Sequence, residues 1–196
     1  MMAERSQSAG GETRVAAICG SLQRSSANAA MLRAALREAP EGMTIEPFRG
    51  LAEVPAMSPE LDGEGEGAPA AVWAWRRLLR GADGLLIVSP EYAHSMPGVL
   101  KNALDWLVGS GELSNMPVAL ISASSVPTGG IRAQMALTQT LLAQAAHVDV
   151  ALTVPGVKAK LGADGELVHA PTLRRVRETL VALVDAIAER PPRLVR

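Results

Sequence analysis

Gly84-Leu85-Leu86-Ile87-Val88-Ser89 is an unbroken apolar run that Pro90 halts. A half-exposed strand alternates apolar and polar residues, whereas a strand covered on both faces does not. The run therefore predicts a strand buried between two layers. Val15-Ala16-Ala17-Ile18-Cys19 and Pro117–Ser122 read the same way, and Met43–Pro47 and Val148–Val154 are further strand candidates. Between them, apolar residues recur at helical spacing over Ser26–Ala39, Ala70–Arg80, Met96–Val108 and Gly130–Ala146, and again over Thr172–Glu189. Strand and helix thus alternate five times. Continuous apolar strands in that alternation specify a parallel sheet with helices on both faces, a three-layer α/β fold.

The 196 residues suit a single domain, expected over 14–190 between a flexible tail at 1–13 and a second tail at 191–196. Gly50–Pro69 reads as a long surface connection. The net charge is −1, which removes any general electrostatic reason to bind nucleic acid or an anionic membrane. Apolar residues make up 48% of the chain but aromatics only 3%, so an aliphatic core is expected. One cysteine and three scattered histidines supply no metal-ligand set and no intrachain disulfide. The N-terminal stretch lacks the apolar run of a signal peptide, and no run of roughly 18 apolar residues exists. A cytoplasmic protein is the expectation.

In a parallel α/β sheet, ligands sit beyond the carboxyl ends of the strands. After the first strand stands Gly20-Ser21-Leu22-Gln23-Arg24-Ser25-Ser26-Ala27-Asn28, leading into a helix. Backbone amides at a helix N-terminus attract phosphate, and the hydroxyls and amides of Ser21, Ser26 and Asn28 are able to add hydrogen bonds. A plain Ser N-cap explains the same residues. Two other phosphate loops are absent: Leu22 stands where G-x-G-x-x-G needs its second glycine, and G-x-x-x-x-G-K-[ST] occurs nowhere. After the third strand stands Ser89-Pro90-Glu91-Tyr92-Ala93-His94-Ser95-Met96-Pro97-Gly98-Val99-Leu100-Lys101-Asn102-Ala103-Leu104-Asp105-Trp106, with the only tyrosine at its tip. After the fourth stands Ser122-Ala123-Ser124-Ser125-Val126-Pro127-Thr128-Gly129-Gly130-Ile131-Arg132, whose double glycine permits close backbone approach to a ligand.

Together the three loops resemble the NADPH-dependent FMN reductase family, flavin-dependent quinone, chromate and azo reductases on a flavodoxin-like fold. Its motifs look like G-S-L-R-x-x-S-x-N, P-E-Y-N-x-S-x-P-G-x-L-K-N-A-[IL]-D-W, and S-A-S followed by G-G-x-R, and the likeness runs from about Val15 to Val154. The resemblance implies a five-stranded sheet in the order 2-1-3-4-5. It implies that Gly20, Ser21, Gln23, Ser26 and Asn28 hold the phosphate of FMN. It implies further that Pro90, Glu91, Tyr92, Ala93 and His94 border the isoalloxazine and ribityl chain, and that Ser124, Gly129 and Gly130 cover the other side. The helix after the second loop packs in such families against another subunit, so Trp106 reads either as interface or as core. Two positions depart from the motifs. Gln23 replaces an arginine, which removes a charge-assisted phosphate contact that Arg24 next door is placed to supply if the loop shifts. Ala93 replaces an asparagine.

The implied reaction is ping-pong hydride transfer from NADPH or NADH to FMN and then to a quinone, metal oxyanion, azo compound or flavin, in a homodimer or homotetramer. The flavin carries this chemistry, so no catalytic side chain and no metal is expected. His94 stands either as an aid to proton transfer, with its ordinary pKa of about 6.5, or as a solvated loop residue. Two further readings compete with the reductase: an electron carrier that binds flavin without reductase activity, and an apo-form interaction protein. A low-molecular-weight phosphatase is a third, since Cys19 precedes Arg24 after the first strand. That family spaces the pair by five residues rather than four, and its Asp-Pro is missing.

Overall fold

The apolar runs become strands β1 (Thr13–Cys19), β2 (Met43–Phe48), β3 (Gly84–Ser89), β4 (Pro117–Ala123) and β5 (His147–Val154). The computed structural model describes residues 12–23, 25–63 and 67–191. All pairings are parallel, in the order β2-β1-β3-β4-β5. Every residue of β3 and β4 is buried, whereas β2 and β5 alternate or lie partly open at the two edges. The strongest apolar runs are thus the inner strands, and the weaker two are edges with one side to solvent.

Five helices cover the sheet: α1 (Ala27–Arg37), α2 (Ala70–Arg80), α3 (Gly98–Asp105), α4 (Ile131–Leu142) and α5 (Ala170–Ala188). Met31, Leu32, Val176, Leu180 and Leu183 of α1 and α5 pack on Val15, Leu86, Val88 and Ile121. Trp75, Leu79, Leu100, Leu104, Leu137 and Leu141 of α2, α3 and α4 pack on Ala16, Ile18, Leu85, Ile87 and Leu120. The split follows from handedness. The β1–β2 crossover runs one way along the sheet and the next three run the other, so right-handed connections place their helices on opposite faces.

Strand β1 includes Thr13, whose amide donates to Gly42 O (2.7 Å) and which pairs with Met43. Most of the two expected tails, 1–11 and 192–196, lies outside the described residues. Several expectations need correction. Helix α3 is shorter than Met96–Val108: Pro97 caps it, its carbonyl accepting from Leu100 and Lys101, and Met96 turns into the core. Helix α4 ends at Leu142 rather than Ala146, where Ala145 takes a left-handed φ of +57°. The core is not purely aliphatic, since Trp75 and Trp106 are both fully buried. Their indole N–H groups donate to Ala103 O (3.2 Å) and Pro55 O (2.9 Å), which meets the polar requirement of burying a tryptophan. Trp106 is therefore core within its own chain and not an exposed interface residue.

The same contacts explain the K-N-A-L-D-W end of the second motif. Asn102 accepts from the Met57 amide (2.8 Å) and donates to Pro55 O (2.7 Å). Arg76, 2% exposed, pairs with Asp62 (2.6 Å) and also donates to Trp106 O. The Gly50–Pro69 connection is thus strapped onto α2 and α3 over its described residues, with short 3-10 turns at Leu51–Glu53 and Pro59–Leu61.

Candidate functional site

The three loops converge beyond the carboxyl ends of β1, β3 and β4 around a solvent-facing cleft of about 270 Å³. A larger groove of about 490 Å³ lies against the β2 edge, but it contains no residue of these loops.

In the first loop Gly20 is required by close approach: a Cβ there would meet Leu100 Cδ2 at 2.9 Å and Ser89 Oγ at 3.2 Å. The loop is thereby pressed against α3. Ser26 is the N-cap of α1, its Oγ accepting from the amides of Asn28 (3.1 Å) and Ala29 (3.4 Å). Asn28 does something the sequence did not reveal. Its Nδ2 donates to Ala123 O (3.0 Å) and its Oδ1 accepts from Ala123 N (3.1 Å), so both ends of the side-chain amide tie α1 to the end of β4. Ser21, Gln23 and Ser25 line the cleft. The amide of Ala27 has no hydrogen-bond partner among the described residues. Arg24 lies outside them.

The second loop is a tight hairpin. Tyr92 and Ser95 exchange both backbone hydrogen bonds at 2.9 Å, and the two residues between them, Ala93 and His94, have φ of +47° and +62°. Two successive left-handed residues make the turn that prefers Asn-Gly. The motif asparagine at position 93 is therefore explained by backbone conformation, and Ala93 holds that conformation with some strain. The turn leaves Tyr92 52% exposed beside the cleft, with Ala93 and His94 exposed at its tip. Glu91 turns toward the third loop instead: its carboxylate accepts from the Arg132 amide (3.1 Å) in the first turn of α4 and stands 3.7 Å from the Arg132 guanidinium. A carboxylate at a helix N-terminus is stabilised by the orphan amides and the helix dipole.

In the third loop Ser124 lines the cleft. Gly129 and Gly130 have φ of +62° and +92°, and a Cβ on Gly130 would stand 2.8 Å from Ser122 Cβ. Gly130 serves tight packing of the turn onto β4 and Gly129 onto Thr153 and Pro155 at the end of β5, and neither lines the cleft. Neither do Gly20, Ala93 or His94, whereas Ser21, Gln23, Ser26, Asn28, Pro90, Glu91, Tyr92 and Ser124 do.

A fourth segment was missed by the sequence reading. The short 3-10 turn Val157–Lys160 after β5 brings Val157, Lys158 and Leu161 to the cleft wall. Val157 is buried and its amide donates to Ser124 O (3.1 Å). The same strand-end rule that located the other loops applied here, but Gly156–Ala170 carried no motif to draw the eye.

Cys19, half-buried, ends β1. Burial pushes its thiol above the ordinary value, outweighing the opposite pull of the Ser21 backbone and Arg33. A phosphatase nucleophile needs the reverse shift, which runs against the phosphatase reading. Among the described residues no group of three or more His, Cys, Asp or Glu is arranged to hold a metal ion.

The family model described as NADPH-dependent FMN reductase matches residues 13–158. The quinone reductase of Escherichia coli K12 is 37% identical over 131 residues, covering 66% of this chain and 69% of that protein. An NAD(P)H-dependent FMN reductase of Pseudomonas aeruginosa is 40% identical over 133 residues, covering 67% and 70%. Among solved structures, the flavoenzyme NAD(P)H:(acceptor) oxidoreductase FerB from Paracoccus denitrificans superposes with a TM-score of 0.77 at 24% identity, covering 90% of this chain and 98% of that one. That likeness is one of fold. Among the described residues no helix is long and apolar enough to cross a membrane.

Proposed function

Because the chain belongs to the NADPH-dependent FMN reductase family, we propose that it takes hydride from NADPH or NADH onto FMN in this cleft and passes the electrons to a small-molecule acceptor of the quinone class. The observation that carries the reading is the convergence of three motif loops on one cleft at the carboxyl ends of β1, β3 and β4. The donor set fits the phosphate of FMN: the hydroxyls of Ser21 and Ser25, the Gln23 amide and the Ala27 amide, which has no partner among the described residues, all belong to the loop entering α1. Bound FMN supplies the two-electron chemistry. The chain binds and orients. Ser26 shapes the phosphate loop as the cap of α1, and Asn28 holds that loop against Ala123. Pro90 and Tyr92 would form the wall for the ring system, the Tyr92–Ser95 hairpin holding Tyr92 in place and Glu91 setting that wall against α4. Gly130 keeps the third loop low over β4 and Gly129 keeps it against the end of β5, with Ser124 on the cleft wall. Donor and acceptor then use one solvent-facing site in turn, which is a ping-pong scheme without a protein nucleophile.

A homodimer or homotetramer belongs to the same proposal. Ile131, Met135 and Leu142 leave an apolar stripe on the outer face of α4, and Val99 and Val108 are exposed on or just after α3. A cytoplasmic location accords with the single, half-buried free thiol.

Flavin uptake and anaerobic reduction test the reading. The purified protein should retain FMN, bleach on addition of NADPH, and regain colour with a quinone. Retention without bleaching supports a carrier instead, and failure to take up flavin removes both flavin readings.

A further inference from the structure

We propose that Lys158, outside all three motifs, supplies the positive charge that holds the phosphate of FMN, in place of the arginine that Gln23 replaces. The inference rests on the reading that the cleft takes FMN.

A phosphate monoester carries between one and two negative charges at neutral pH. The first loop offers it hydroxyls and amides, but Gln23 brings no charge. Lys158 lines the same cleft as Ser21, Gln23 and Ser25, and it is the only basic side chain lining it among the described residues. The one acidic side chain there, Glu91, is already engaged by Arg132. Nearby cations are also taken: Arg33 and Arg37 pair with Glu166 at 2.5 and 2.6 Å, and Lys160 donates to Pro155 O. The Lys158 ammonium has no hydrogen bond or ion pair among the described residues. Its backbone is nevertheless well placed. Gly156 enters the turn with a left-handed φ of +59°, and the neighbouring Val157 is buried and bonded to Ser124 O. A flexible four-carbon stem on an anchored turn delivers a point charge to a phosphate without needing the bidentate geometry of arginine.

The test measures dissociation constants of the full-length apoprotein for FMN and for riboflavin, which lacks the phosphate, by quenching of flavin fluorescence. Lys158→Met should weaken FMN by about tenfold, a modest loss because the site is open to solvent. Riboflavin binding should stay within about twofold, and Lys158→Arg should restore FMN binding. The salt dependence of FMN binding should fall in Lys158→Met, since one ionic contact is gone. An unchanged FMN constant, or an equal loss for riboflavin, overturns the proposal. So does a result in which Arg24→Met carries the whole loss. A rise in KM for NADPH but not NADH, with FMN binding intact, assigns the lysine to the nicotinamide's extra phosphate and also overturns it. If the wild-type protein binds neither flavin, the underlying flavin reading fails first and this inference falls with it.

Discussion

Asn28→Ala separates two jobs that the motif leaves open for this side chain, holding phosphate or holding the fold. Asn28 is 3% exposed and bonded at both ends of its amide to the backbone of Ala123, at 3.0 and 3.1 Å. Alanine would strand one buried N–H and one buried C=O. Each such group costs about 1–3 kcal/mol when unsatisfied, and water from the adjacent cleft offsets part, so a loss of about 2–3 kcal/mol is expected. In a chain of this size that lowers Tm by about 5–10 °C. Asn28→Asp should be at least as harmful, because it sets an acceptor against Ala123 O. Unfolding is followed on the apoprotein, since bound ligand raises stability by mass action. FMN affinity, measured well below Tm, should change by less than about tenfold, the equivalent of 1.4 kcal/mol. A Tm shift under about 2 °C together with a larger loss of FMN affinity would refute the reasoning and return Asn28 to the phosphate.

The hairpin predicts a gain rather than a loss: Ala93→Asn should stabilise by about 0.5–1 kcal/mol in urea unfolding, because asparagine tolerates φ of +47° better than alanine, and no gain would remove the conformational account. Gly130→Ala should cost about 2–4 kcal/mol, from a left-handed φ of +92° and a 2.8 Å approach to Ser122 Cβ, and a cost below about 1 kcal/mol would show that the turn relaxes freely. Hydrogen bonding from Arg37 is the largest influence on the Glu166 carboxyl; burial opposes it, and hydrogen bonding and charge from Arg33 add to it, so that the carboxyl is held below its ordinary range. The stability it contributes is present above the ordinary carboxylate value and is lost as pH falls through the lowered folded value. Denaturation curves of wild type and Glu166→Gln should therefore differ at neutral pH and converge in acid, and parallel curves would contradict the assignment. Burial of Cys19 predicts slower alkylation by iodoacetamide at neutral pH than a free thiol shows, and no aryl phosphate hydrolysis for Cys19→Ser to abolish; either fast labelling or such hydrolysis revives the nucleophile.

Much of the fold was legible because its signals are local. The unbroken apolar runs of Gly84–Ser89 and Pro117–Ser122 could belong only to strands covered twice, and they are the inner pair of the sheet. Ser26 as a helix cap was readable from the residues just after it. What the sequence leaves open depends on partners far away in the chain. Trp106 fits interface or core by sequence alone; Pro55, 51 residues earlier, accepts its indole N–H and makes it core. Glu91 lines the cleft, but only the fold shows that its carboxylate also meets the first turn of α4, 41 residues on.

The sequence by itself determined the alternation of elements, the buried parallel sheet and the three loops at its carboxyl edge, because periodicity and turn chemistry act between near neighbours. Only the tertiary structure decided what the individual side chains do there. Asn28 is spent on Ala123, 95 residues away; the asparagine of the hairpin motif is a matter of φ; and Lys158, in a segment with no motif, stands on the cleft wall. Those facts depend on which distant groups the crossovers bring together, and no spacing along the chain encodes that.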